Sequence, residues 1–137
     1  MKRKVLSLAV TAALSVATLA CSRDAEILAF VGDLDSFTAQ LVKTAKSAAS
    51  PSAGIDAAQK YLDDNKEQLR TKLETIKSVK NFQVSEETKK KIEASFMKNA
   101  SAVVDLEVQN VALAATDAQF RSKVEKLVND YKDVLTK

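Results

Sequence analysis

Apolar residues recur every three or four positions through most of the chain beyond residue 24, which is the spacing of amphipathic α-helices. The first stretch consists of Ile27, Phe30, Leu34, Phe37, Leu41, Ala45 and Ala48. Gly32 interrupts this stretch and disfavours helix by about 1 kcal/mol relative to Ala. The pattern therefore predicts a helix that begins either before Gly32 or only near Asp33.

A second stretch with the same spacing follows after a short turn. It consists of Ile55, Ala58, Leu62, Leu69, Leu73 and Ile76, with the polar Asn65 in the same register. Residues 47–54 contain small residues and Pro51, and proline suits the first position of a helix. We therefore predict a second helix that starts close to Pro51.

The third stretch carries two apolar stripes instead of one. The first stripe consists of Ile92, Phe96, Val103, Leu106 and Leu113, with Asn99 and Asn110 in its register. The second stripe consists of Met97, Ala100, Val104, Val108 and Val111. A helix with two stripes is expected to contact neighbours on two sides. The alternation in residues 104–109 is also typical of a strand, but the surrounding alanines favour helix.

Polar residues predict where the last two helices begin. Ser85 is expected to cap the third helix, and the two glutamates after it suit the positive end of the helix dipole. Thr116 and Gln119 fit the capping box of a fourth helix. The apolar stripe of that helix consists of Phe120, Val124, Leu127, Tyr131 and Val134.

Together these stretches predict an all-α protein, an antiparallel bundle of three to four helices. The predicted spans are residues 25–48, 52–79, 86–115 and 117–136, and three long helices remain if the last boundary is only a kink. The composition agrees, since the chain has one proline and two glycines. Residues 25–137 are long enough to form a single domain with its own core.

Residues 1–20 differ from the rest of the chain. Lys2, Arg3 and Lys4 precede an apolar stretch from Val5 to Ala20, the arrangement of a secretory signal peptide. The stretch is shorter than the roughly 20 residues that a membrane-spanning helix needs. A buried N-terminal helix is the alternative, but the basic residues and the lack of a polar face favour the signal peptide.

The sequence Leu19-Ala20-Cys21 resembles the lipobox of bacterial lipoproteins, in which the cysteine becomes the new N-terminus and carries acyl chains such as palmitate. The resemblance covers residues 1–22, and it would give the only cysteine a role, since one thiol cannot form an internal disulfide. The family prefers Leu where Thr18 stands, so ordinary cleavage after Ala20 is the alternative. Residues 21–24 would then be the lipidated N-terminus and a short tether.

The resemblance also implies a location for the mature protein. It would be exported and anchored to a membrane of the bacterial envelope by its acyl chains, whose buried methylene groups contribute about 0.8 kcal/mol each. Ser22 follows the cysteine where Asp marks inner-membrane retention in enteric lipoproteins, which favours the outer membrane. Without lipidation the protein would be periplasmic.

Removal of residues 1–20 changes the charge balance. The whole chain has 21 Lys and Arg residues against 18 Asp and Glu residues, and Lys2, Arg3 and Lys4 account for the difference. Because the remainder is balanced, it has no overall basic field to attract nucleic acid. We therefore expect no nucleic-acid partner.

The composition also excludes several kinds of catalytic and metal site. Without histidine there is no Ser-His-Asp triad and no imidazole ligand, and a lipidated Cys21 supplies no thiolate. The segment from Ser95 to Lys98 matches Ser-x-x-Lys of penicillin-recognising enzymes, but the partner motifs of that family are missing. Asp63, Asp64 and Glu67 form an acidic patch that is more typical of a solvated face than of a metal site. We expect no enzymatic activity, metal or cofactor.

Three asparagines lie near the apolar seams of the predicted helices: Asn65, Asn99 and Asn110. A buried asparagine lowers stability but fixes the register of helical assemblies. A small rotation of each helix would instead carry the asparagine to the edge of the bundle. The sequence leaves both arrangements open.

Elimination and the predicted anchor together indicate an envelope lipoprotein whose non-catalytic bundle binds another protein or has a structural role. The alternative is a carrier that holds a small apolar ligand or a lipid in a groove between helices. Its candidate lining residues are Phe30, Phe37, Phe96, Met97 and Phe120, which equally suit a plain core. The oligomeric state is left open.

Overall fold

The computed structural model describes residues 22–79 and 83–136. Within these ranges the chain forms five helices and no strand: α1 (Asp24–Lys46), α2 (Pro51–Lys77), α3 (Glu86–Gln109), α4 (Val111–Thr116) and α5 (Ala118–Thr136). The predicted all-α bundle is confirmed, and residues 104–109 belong to a helix. None of the helices in these two ranges is both long and apolar enough to cross a membrane.

Two of the predicted helix starts are confirmed in detail. The Ser50 hydroxyl accepts a hydrogen bond from the backbone N–H of Ala53, and Pro51 is the first residue of α2. The Ser85 hydroxyl accepts one from the backbone N–H of Thr88 at the start of α3. Each serine satisfies one of the N–H groups that the first turn of a helix leaves without an intrahelical partner.

The capping box predicted for the last helix is wrong. Asp117 caps α5 instead, since its carboxylate accepts a hydrogen bond of 2.9 Å from the backbone N–H of Phe120. The Thr116 hydroxyl points back into α4 and donates to the carbonyl oxygen of Leu113. Asp117 has an extended backbone, with φ −121° and ψ 99°, so the boundary between α4 and α5 is a real turn and not a kink.

The helix predicted for residues 86–115 is divided at Asn110. The backbone of Asn110 leaves the helical conformation, with φ −110° and ψ 13°, and its side-chain amide donates to the carbonyl oxygen of Leu106 at 2.7 Å. A side chain that bonds its own backbone in this way offers the chain an alternative to the helical ladder. The result is the long α3 followed by the short α4.

The first helix begins at Asp24 and runs through Gly32, so a start near Asp33 is wrong. Ile27 and Phe30, on the N-terminal side of the glycine, are buried. Burial of each such side chain is worth about 1.5–3 kcal/mol, which exceeds the penalty of about 1 kcal/mol for a helical glycine. Tertiary packing therefore outweighs the local preference.

Contacts at both ends of α1 define its neighbours. The start of α2 meets the end of α1, so these helices run antiparallel. Asp24 accepts a hydrogen bond of 2.9 Å from the backbone N–H of Ser85, and Asp35 contacts Ser95 further along both helices. Helices α1 and α3 therefore lie side by side and run parallel.

Helix α5 closes the bundle against α2 and α3, and α4 packs on α5. Lys123 pairs with Asp56 at 2.6 Å and Gln59 donates to Asp130 at 2.8 Å, so α5 runs parallel to α2. Successive long helices thus alternate in direction, as predicted. The largest fully buried side chains are Tyr131, Phe120, Ile27, Leu34, Leu41, Ile55, Leu62, Leu106, Leu127, Val103, Val124 and Val134.

The turn between α1 and α2 brings two backbones into direct contact. Gly54 is buried in the first turns of α2, and a Cβ atom at this position would lie 1.9 Å from the carbonyl oxygen of Ala45. No side chain fits into that distance. The glycine is therefore required by the close approach of the two helices.

The core role of the α5 stripe can be tested with adjacent substitutions. Leu127 is 0% exposed, so Leu127→Ala should lower the free energy of unfolding by about 2–5 kcal/mol through lost burial and a residual cavity. Lys126 is exposed, and Lys126→Ala should change the free energy of unfolding by no more than about 0.5 kcal/mol. Urea denaturation followed by circular dichroism measures both values. Equally mild effects would contradict the assignment of the α5 stripe to the core.

Candidate functional site

The second stripe of the third predicted helix lies on the surface of the bundle. Met97, Val108 and Val111 are 73%, 63% and 64% exposed. Ala100 and Val104, between them, are partly buried. In the first stripe Val103 and Leu106 are buried, whereas Leu113 at its end is 36% exposed. The described part of the chain therefore covers the first stripe along α3 but not the second. The face with the second stripe is open to solvent.

Acidic residues flank the second stripe. Asp105 and Glu107 are both exposed. At 100° per helical residue, they lie about 80° to either side of the line through Val104 and Val108. A hollow of about 220 Å³ continues the stripe, lined by Glu107, Val111, Ala114, Ala115, Arg121 and Val124. The surface therefore combines an apolar centre with acidic edges.

Behind this surface, a polar cluster joins α3 to α1. Asp35 accepts hydrogen bonds from the Ser95 hydroxyl at 2.7 Å and from the Asn99 amide at 2.5 Å, and Lys98 pairs with it at 2.9 Å. The Ser95 hydrogen bond, helped by Asn99 and Lys98, holds the pKa of Asp35 below its ordinary value of 3.8. The cluster thus stabilises the charged carboxylate between the two helices.

A second polar contact crosses the centre of the bundle, between α1 and α5. The Thr38 hydroxyl donates to the carbonyl oxygen of Leu34, so the Tyr131 hydroxyl is the donor in the 2.5 Å contact between Tyr131 and Thr38. Burial raises the pKa of Tyr131 to about 12. The phenol therefore stays neutral and acts as a structural donor.

The three predicted seam asparagines differ in burial. Asn99 is 2% exposed, so of the two arrangements that the sequence leaves open the structure shows burial at this position. Asn65 and Asn110 are partly buried. Each donates a hydrogen bond to the backbone carbonyl oxygen four residues earlier, which is Tyr61 for Asn65 and Leu106 for Asn110. Of these three asparagines, only Asn99 donates a hydrogen bond to a neighbouring helix in the described part of the chain.

The candidate lining residues of a ligand groove do not surround one common space. Phe30 and Phe120 lie in the core, Phe37 and Phe96 are partly buried, and Met97 is exposed. A different groove of about 370 Å³ runs between α1 and α3. Its lining consists of Asp35, Thr38, Ala39, Val42, Lys43, Lys98, Asn99 and Ala102.

The acidic patch singled out in the sequence is paired within its own helix. Asp63 pairs with Lys66 at 2.7 Å, Asp64 with Lys60 at 2.8 Å, and Glu67 with Arg70 at 2.9 Å. No group of acidic or sulfur ligands that could hold a metal ion occurs among the residues described. In the same way, two lysines of residues 89–91 pair with glutamates one turn earlier.

Ser95 and Lys98, which match Ser-x-x-Lys, both contact Asp35. Ser95 is 5% exposed, and its hydroxyl donates to a carboxylate that the cluster keeps ionised. This arrangement positions the two helices and leaves the hydroxyl poorly placed as a nucleophile. Cys21, the predicted lipidation site, lies outside the described residues, as do residues 1–20.

Comparison with known proteins found no family model, curated protein or solved structure that matches this chain.

The contribution of Asp35 to stability should depend on pH. Since its folded-state pKa is depressed, the carboxylate contributes fully above its ordinary pKa of 3.8 and loses its contribution as pH falls through the folded value. The stability difference between wild type and Asp35→Asn should therefore shrink as pH falls below about 4. Urea denaturation at a series of pH values measures this difference.

The pKa values of Asp24, Asp63, Glu87 and Asp130 are also lowered, so the stability of the wild type alone would report on all of these groups. The difference between the wild type and Asp35→Asn isolates the contribution of Asp35. Ser95→Ala removes the main cause of the Asp35 shift and should give a smaller pH dependence than the wild type. A stability difference that is constant between neutral pH and pH 3 would contradict this role of Asp35.

Proposed function

We propose that this chain is a lipid-anchored, non-enzymatic helical bundle of the bacterial envelope that acts by binding another protein. The observation that carries the proposal is the exposure of Met97, Val108 and Val111 along one side of α3 and α4. Exposed apolar residues aligned on one face of a helix, with a polar rim, are typical of a protein-interaction site. Methionine at such a surface adapts its shape to a partner.

The anchor would orient this surface away from the membrane. Only Ser22 and Arg23 separate Cys21 from α1, so an acylated Cys21 would hold the start of α1 close to the lipid. Helix α3 runs parallel to α1, and its 24 residues span about 36 Å at 1.5 Å per residue. Val108 and Val111 would then lie at the far end of the bundle, where a partner in the periplasm has access.

The anchor is tested by metabolic labelling with a fatty acid in bacteria that express the chain. The wild type should incorporate the label and remain with the membranes, and Cys21→Ala should lose both properties. A wild-type chain without label would contradict the lipoprotein assignment.

The binding surface is tested on the same membranes after solubilisation in detergent. The tagged wild type should retain a protein that Val108→Asp loses, because a carboxylate in the stripe disrupts apolar contact. Ser122→Asp places the same charge at an exposed position of α5 and is the matched control. If both variants retain the same proteins as the wild type, the stripe is not the binding surface.

A carrier of a small apolar ligand is the second candidate, favoured by the groove between α1 and α3. Ala39, Val42 and Ala102 give this groove apolar walls within its volume of about 370 Å³. Mass spectrometry of organic extracts should detect an apolar molecule bound to the wild type but lost from Ala102→Trp, which fills the groove. Ala112→Trp, at an exposed position of α4, is the control. Extracts without any such molecule would contradict the carrier.

A further inference from the structure

We propose that the second stripe is the docking surface for a basic amphipathic helix of another protein. The apolar residues of that helix would cover the stripe, and its Lys and Arg residues would pair with the acids beside it. This inference rests on the proposed function, because it names the chemistry of the partner for the same surface. An amphipathic helix laid against an apolar groove is a recurring mode of recognition.

The charged residues that flank the stripe along α3 are acidic, and Arg121 lies at its far end in the hollow. Residues 99–120 contain Asp105, Glu107 and Asp117 but no Lys or Arg. Asp117 caps α5, whereas Asp105 and Glu107 are exposed and form no ion pair with any described residue. Most acidic residues elsewhere in the described bundle pair with a lysine or an arginine. Asp105 and Glu107 therefore place unpaired negative charge on both sides of the exposed apolar stripe.

The positions of these acids match the geometry of a helical partner. Asp105 and Glu107 lie on opposite sides of the stripe, about 80° from its centre line. A helix that lies along the stripe presents its apolar residues to Val104 and Val108 and places flanking basic residues above both acids. The stripe from Met97 to Val111 is about 20 Å long, which accommodates close to four helical turns.

The hollow at the end of the stripe provides an anchor point. Its volume is about 220 Å³, and Val111, Ala114 and Ala115 contribute apolar lining. One large apolar side chain of the partner would fill this space, as the central residues of helical interfaces commonly do. Glu107 and Arg121 are its charged lining residues.

The same charges disfavour two other occupants. An anionic lipid surface would be repelled by Asp105 and Glu107. A second copy of the chain would bring the same two acids to the contact, with Arg121 at the end of the stripe as the basic residue that faces them. Two acids against one base on each copy leave a net repulsion. A basic helix is the occupant that the acids attract.

The experiment measures binding of two labelled helical peptides to the full chain held in phosphatidylcholine nanodiscs, with empty nanodiscs as the blank. Both peptides carry the same leucine stripe; one has lysines on its flanks and the other has glutamates at the same positions. Fluorescence anisotropy should show binding of the lysine peptide and not of the glutamate peptide. Added salt should weaken the binding, since exposed charges are screened.

Substitutions then test the surface. In the double variant Asp105→Lys with Glu107→Lys, the lysine peptide should bind roughly tenfold more weakly and the glutamate peptide should gain binding. Val108→Asp should weaken the binding of the lysine peptide, and Ser122→Asp should leave that binding unchanged. Circular dichroism confirms that each variant has kept its helical content.

Equal binding of both peptides, or an unchanged preference in the double variant, would overturn the inference. So would tight binding to phosphatidylglycerol vesicles, or a dimer of the chain, if Val108→Asp abolishes it. If the lysine peptide does not bind while Val108→Asp still loses a copurifying protein, the inference fails and the proposed function stands. If Val108→Asp loses no protein either, both fail.

Discussion

A buried amide needs acceptors for its two hydrogens, and in this bundle the Asn99 amide finds them between α1 and α3. It donates to the Ser95 carbonyl on its own helix and to the Asp35 carboxylate on the neighbouring one. An unsatisfied buried group of this kind costs about 1–3 kcal/mol, a large share of the stability of a small domain. Apolar contacts tolerate a shift between helices more readily, so Asn99 and its acceptors select one register.

That register determines which side of α3 remains outside. Ser95 and Asn99 face inward, and Met97 and Val108 lie on the opposite side of the same helix. A rotation that buried Met97 and Val108 would carry Asn99 away from Asp35 and leave polar groups of the cluster unpaired. The polar cluster and the exposed stripe are therefore two consequences of one orientation of α3. The apolar surface stays outside the bundle because a rotation of α3 that turned it inward would break the hydrogen bonds of the polar cluster.

The sequence predicted the helices because helical period and burial coincide along each segment, as in the stripe that contains Leu127. The predicted span 25–48 matches the start of α1 within one residue. The alternative start near Asp33 was wrong, since local propensity does not include the packing of distant helices. Asp35 carried no signal because its partners lie 60 or more residues away, and spacing within one helix does not identify neighbours. The position of Thr38, by contrast, could be read from the sequence, since it lies between Leu34 and Leu41 in the core register.

Gly54 offers a way to recognise divergent relatives of this chain. Where two backbones touch, no larger residue fits unless the helices move apart, whereas exposed positions outside the second stripe are not constrained in this way. Evolution would therefore retain the pattern Pro-x-x-Gly at the start of α2, after a short turn of small residues, longer than it retains most of the surface. A search weighted toward that pattern and the apolar register around it could reach homologues that overall similarity no longer reveals.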